Sequence, residues 1–247
     1  ELAEHLGHDQ PFYGLQALGL DGKVEPLKTV EAMAEHYVNE MKSIQPTGPY
    51  LIGGFSAGGI LAFGIAAELE KRGERANLCV LFDSFEPEYM KSTKEGNLAI
   101  RIIRAYVYRA QLHWQNFRMI GWDDKISYIN QKLKAGRWRM RREVPPAMMK
   151  VKRATHSAIA NYQPPVIDGK LTLFRAAQQP KDLIRDPKLG WGIYARGGVE
   201  AHIVPGSHAH FVEQPHVSVV AGLLNHCIER AIKGDFKIRE NIVHKFM

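Results

Sequence analysis

The chain has 247 residues, 45% hydrophobic and 24% charged, with a formal net charge of +7. This is an ordinary composition for a globular protein, long enough for one large α/β domain, or a domain with an insertion, to bury a full core. No apolar run approaches the ~20 residues of a helix that crosses a bilayer, and no nucleic-acid motif accompanies the positive charge.

Glu1 to Leu6 reads as the end of a helix. Phe12 to Gln16, between Pro11 and the pair Gly19 and Gly22, reads as a short strand. Val30, Met33, Tyr37, Met41 and Ile44 recur at three- and four-residue steps. They predict a helix from Val30 to Ile44, with Thr29 as N-cap and Pro46 and Gly48 closing it. Met33 and Met41 are core contacts in this reading.

Tyr50 to Gly53 predicts a strand, Gly58 to Arg72 a helix stopped by Gly73, and Leu78 to Phe82 a strand buried on both faces. Together they make a right-handed βαβ unit. At its centre lies Gly54-Phe55-Ser56-Ala57-Gly58, with glycines two residues before and two after a serine. In a strand–turn–helix setting this spacing is a nucleophile elbow, in which Ser56 takes strained backbone angles and Gly54 and Gly58 let neighbouring backbone pass. The Ala57 N–H and the helix start are then aimed at an oxyanion. The alternative is a glycine-rich turn that contains a serine, in a chain with 22 glycines.

Residues 97–138 read as helical and rich in long or aromatic side chains, without strand alternation. They suggest a lid, an insertion spanning about residues 86–160, over the carboxyl ends of the strands; an ordinary helical layer is the alternative. The segment from Arg101 to Arg153 carries 14 Lys and Arg against Asp123, Asp124 and Glu143, a local balance of +11 that leaves the rest at −4. Such a segment points to an acidic partner or to a merely solvated basic face.

Strands are predicted again at Lys170 to Phe174 and Glu200 to Val204, and an amphipathic helix from Pro215 to Ile232, stopped by Gly234. The tail from Asp235 is polar and peripheral. Cys79 and Cys227 lie in apolar segments without metal-ligand spacing and read as reduced, buried thiols of a cytoplasmic protein. Because the chain opens on Glu1 rather than Met, it is expected to be part of something longer.

A nucleophilic serine needs a histidine, itself oriented by a carboxylate. Among the late histidines, His208 follows Gly206 directly after the last predicted strand and is the favoured base. His210 is its rival, His202 lies within the strand, and His216 opens the last helix. Asp83, directly after Leu78 to Phe82, is the favoured acid; Asp182 and Asp186, in the loop after the next strand, are the alternatives.

Seven segments in order, Gln10–Ala17, Gly48–Gly59, Val80–Ser84, Leu171–Ala176, Leu189–Gly192, Gly197–Glu200 and Val204–His208, resemble the type I thioesterase domain that ends nonribosomal peptide synthetases and polyketide synthases. The resemblance covers nearly all of the chain apart from the lid's detail and the tail. It implies a single α/β-hydrolase domain over residues 1–247, a mostly parallel sheet flanked by helices. It implies catalysis by Ser56, Asp83 and His208, with acylation of Ser56 by a thioester on a carrier protein's phosphopantetheine arm. No metal or cofactor is implied; the arm arrives as part of the substrate. An acyl or peptidyl carrier protein is typically acidic, so Arg139, Arg141 and Arg142 become expected contacts for it. Members of the family begin with a strand and loop that supply a second oxyanion donor, and this chain is expected to start after them.

Overall fold

The computed structural model describes residues 1–7, 9–92, 144–179 and 185–233. Most of the expected lid, with Arg139, Arg141 and Arg142, lies outside the described residues, as do Asp182 and the tail.

Among the described residues, four strands form one parallel sheet in the order β1 (Tyr50–Phe55), β2 (Ala76–Phe82), β3 (Leu171–Gln178), β4 (Val199–Ser207). Helix α1 (Leu2–Leu6) precedes α2 (Val30–Ile44), and α3 (Ala57–Lys71) connects β1 to β2. They are followed by α4 (Pro87–Ser92), α5 (Pro146–Asn161) and α6 (Val217–Lys233). Helix α2 has the predicted bounds because Thr29 Oγ1 accepts the Ala32 N–H at 3.2 Å, satisfying a donor that has no partner inside the helix. Its apolar face is Val30, Met33, Tyr37 and, in addition, Ala34 and Val38; Ile44 is exposed.

The expected strand at Phe12 to Gln16 does not form. Phe12 and Tyr13 are 58% and 69% exposed, and the segment pairs with no strand, so its apolar residues have neither a ladder nor a core to join. Conversely, β4 runs three residues beyond its predicted end, through Pro205 and Gly206 to Ser207. At the outer edge of the described sheet, the proline's missing N–H removes no ladder bond.

Two apolar layers enclose the sheet. On one face α2 and α3 pack with Leu81, Leu173 and Trp191, and Phe63 meets Trp191 at 4.8 Å between ring centres. On the other, α1 and α6 cover Phe82, Phe174 and Phe211, with Phe82 and Phe174 stacked at 5.3 Å. Each such side chain, fully buried, contributes about 1.5–3 kcal/mol. Cys79 belongs to the first layer and Cys227 to the second. Helix α5, within the bounds expected for the lid, packs on α2 and α3, with Ala158 in the first layer.

The amino end of β4 is fixed by charge. Glu200 accepts from Lys170 at 2.5 Å and from Arg230 at 3.0 and 3.3 Å, and His202 Nε2 lies 3.3 Å from it. Hydrogen bonds from His202, then Arg230 and Lys170, hold this carboxyl well below the usual carboxylate range.

At the carboxyl side of the sheet the register aligns Phe55, Phe82, Phe174 and His202 across the four strands. The residues that follow Phe55 and Phe82 are Ser56 and Asp83. They leave the sheet at one level.

Candidate active site

Ser56 sits at the turn from β1 into α3 with φ 54° and ψ −118°, a conformation that L-residues rarely adopt. Its N–H is held by the Phe82 carbonyl at 2.8 Å, and its own carbonyl accepts from Gly59 N–H at 3.0 Å. The turn is tight enough that a Cβ at Gly54 would lie 2.0 Å from the Gly58 carbonyl oxygen. The second close approach is at Gly59, where a Cβ would come 2.5 Å from the Ser84 Cβ. The steric role expected of Gly58 is thereby corrected, since a Cβ there would meet nothing within 4 Å.

Ala57 is the first residue of α3, and among the described residues nothing accepts from its N–H. No acidic side chain lies in the first turn of α3, so the helix supplies no counter-charge of its own to the positive end of its dipole.

Asp83 also has positive φ, 47°, with its N–H on the Phe174 carbonyl at 2.7 Å. It is completely buried. Its Oδ2 is 2.7 Å from His208 Nδ1, while Oδ1 accepts the Ala176 N–H at 2.9 Å and the Gln179 side-chain Nε2. These donors satisfy both oxygens of a carboxyl shut off from water.

His208 is the first residue after β4, within which Gly206 has φ 95°. A Cβ on Gly206 would fall 2.6 Å from the His216 ring, so only glycine fits there. The imidazole is 45% exposed and stacks on Phe55, the neighbour of Ser56, at 4.8 Å. Phe55 in turn rests on Phe211 at 5.7 Å. With Nδ1 hydrogen-bonded to Asp83, Nε2 is the ring nitrogen left to exchange a proton. Ser56 Oγ makes no hydrogen bond among the described residues.

The structure thus brings Asp83 and His208 into one hydrogen bond and sets Phe55, beside Ser56, against the histidine. The alternatives go elsewhere. His202 pairs with Glu200, and His210 Nδ1 is 3.2 Å from Ser207 Oγ. The His216 carbonyl accepts from Val219 and Val220 at the start of α6, and burial followed by the neighbouring His210 lowers that imidazole's pKa. Asp186 is spent on its own turn, accepting the Lys188 and Gly190 N–H groups at 2.9 Å. Two contributors escape the sequence reading. Phe55 was legible only as an unassigned residue inside the elbow pattern, and Gln179 carries no motif at all.

The family model of the thioesterase domain matches residues 1–228. Among curated relatives, malpibaldin synthetase of Mortierella alpina is 27% identical over 93% of this chain and 4% of its own length. The chondramide synthase of Chondromyces crocatus is 28% identical over 89% and 6%. The chain therefore spans a small fraction of these relatives. The RedJ thioesterase of the prodiginine pathway in Streptomyces coelicolor superposes with a TM-score of 0.58 over 91% of this chain and 82% of that one, at 22% identity. A four-domain nonribosomal peptide synthetase superposes at 0.65 over 91% of this chain and 18% of its own, also at 22% identity. The fold is that of the α/β-hydrolase thioesterase domains, and the chain belongs to the thioesterase domain family. It is a thioesterase domain of the kind found in nonribosomal peptide and polyketide synthetases, a family of hydrolases acting on thioesters.

Proposed function

We propose that this domain releases an acyl, peptidyl or polyketide chain from a carrier protein's phosphopantetheine thioester through an acyl-enzyme on Ser56. The observation that carries the reading is the 2.7 Å hydrogen bond between fully buried Asp83 and His208, on the imidazole that stacks against the residue beside Ser56. His208 Nε2 takes the Ser56 proton as Oγ attacks the thioester carbonyl, and Asp83 stabilises the imidazolium. The developing oxyanion rests on the Ala57 N–H at the start of α3, whose first turn holds no acidic side chain. The proton on His208 passes to the departing thiol. Water then attacks the acyl-serine to give a free acid, or an amine or hydroxyl of the chain itself attacks to give a ring.

The test is turnover of an acylated carrier protein with release read by mass spectrometry. Ser56→Ala is expected to reduce kcat by about 10⁶-fold and Asp83→Asn by about 10⁴-fold, as in serine hydrolases generally. Wild-type-like release by Ser56→Ala would overturn the reading. The net positive charge of the segment from Arg101 to Arg153 is complementary to an acidic carrier: replacing Arg139, Arg141 and Arg142 together by glutamine is expected to raise KM for the carrier-bound substrate and leave a small pantetheine thioester unaffected. Equal effects on both substrates would remove the carrier contact from the proposal.

A further inference from the structure

Gln179 follows the last residue of β3, and its two ends have opposite fates. Nε2 donates to Asp83 Oδ1, the oxygen that also accepts the Ala176 N–H. Oε1 is buried with no hydrogen-bond partner among the described residues. The amide cannot turn over to remedy this, because Oε1 would then confront a carboxylate oxygen, acceptor against acceptor. An unpaired buried acceptor opposes folding, and an apolar side chain of similar length would carry no such penalty. Stability alone therefore does not account for glutamine at this position. Its bond to Asp83 does.

We propose that Gln179 is a positioning residue for the Asp83–His208 pair, an inference that rests on the roles just assigned to those two residues. The terminal torsion of an aspartate is broad and two-fold, so a single donor holds the carboxylate loosely. Two donors converging on Oδ1, Ala176 N–H from the backbone and Gln179 Nε2 from beyond the strand, fix that oxygen and leave Oδ2 for His208 Nδ1. They also draw negative charge toward Oδ1, which moderates how strongly Oδ2 pulls on the imidazole proton. Removing Nε2 thus has two consequences. The carboxylate is freer to rotate, and while it faces His208 it is the stronger acceptor.

Gln179→Met and Gln179→Leu remove the donor and the unpaired acceptor together. Both are expected to melt no lower than the wild type, while kcat/KM falls about three- to tenfold, the size of one hydrogen bond felt in the transition state. A stronger acceptor stabilises the imidazolium, so the acid limb of the kcat/KM–pH profile moves to higher pH. The downfield proton resonance of His208 Nδ1–H moves further downfield. That resonance is read in the resting protein, so it decides this inference even if carrier-bound thioesters prove not to be the substrate. An unmoved resonance in both variants overturns the proposal. So does a moved resonance with kcat/KM and the acid limb as in the wild type, and so does a lowered melting temperature with neither spectroscopic nor kinetic change, which would make Gln179 purely structural.

Discussion

Replacing Gly54 by alanine would drive a methyl group into the Gly58 carbonyl, and neither backbone segment can yield without moving the serine between them. The expected result is loss of more than about 4 kcal/mol of stability or no folded protein. Gly59→Ala meets the Ser84 side chain instead and is expected to cost about 1–3 kcal/mol. Gly58→Ala points its methyl into open space on a helix, where alanine is favoured over glycine by roughly 0.5–1 kcal/mol, so its melting temperature should equal or exceed the wild type. Thermal melts of the three variants check the order; a Gly58→Ala protein as damaged as Gly54→Ala would contradict the elbow geometry. Ser56 was legible from the glycines two residues to either side of it, Asp83 from its place directly after an apolar run, and His208 from the glycine just before it, shortly after the last predicted strand. The steric division among the glycines was not, because it depends on which backbone atoms face one another across the turn. Gln179 stayed hidden for a similar reason: its partner is 96 residues away in the chain.

Among the elements, β4 is the one held by charge at its amino end and shaped by the positive φ of Gly206 near its carboxyl end. Glu200 ties it to Lys170 before β3 and to Arg230 on α6. Its carboxyl is depressed in the folded protein, so the stabilisation is present above the unfolded value near 4.5 and is lost as the pH falls below it toward the folded value. Glu200→Gln is expected to lose about 1–3 kcal/mol at neutral pH, since it removes the carboxylate to which the half-buried Lys170 and Arg230 both donate. It should also flatten the decline of stability between neutral and strongly acid pH. Urea titrations at pH 7 and pH 3 measure both, and an unchanged pH dependence would remove Glu200 from the account. Helix ends were readable where a side chain does the capping, as Thr29 does for α2. Strand ends were less so. Phe12 to Gln16 has strand composition without a partner strand, and β4 passes through Pro205 and Gly206 because an edge tolerates them.

For the molecule as a whole, the arrangement legible in the sequence was the parallel α/β order, since β1, α3 and β2 alternate at the spacing of a crossover unit. The structure adds the alignment of Phe55, Phe82 and Phe174 at the carboxyl ends, which comes from strand register and has no signature in any one segment. It also adds the division of the core into two layers, each holding one cysteine. Burial pushes the Cys79 thiol up to about 12 and Cys227 up to about 11. Neither should react with a disulfide reagent at pH 8 in the native protein, and both should react in denaturant. Rapid labelling of either without denaturant would contradict the packing.

Those two thiols give each face of the sheet its own clock. A pulse of alkylating reagent during slow unfolding, followed by peptide mass analysis, dates the moment each face first admits solvent. Equal times for Cys79 and Cys227 would mean that the layer carrying the elbow helix and the layer beneath α6 open as one unit. Unequal times would reveal which face yields first, without a single substitution in the chain.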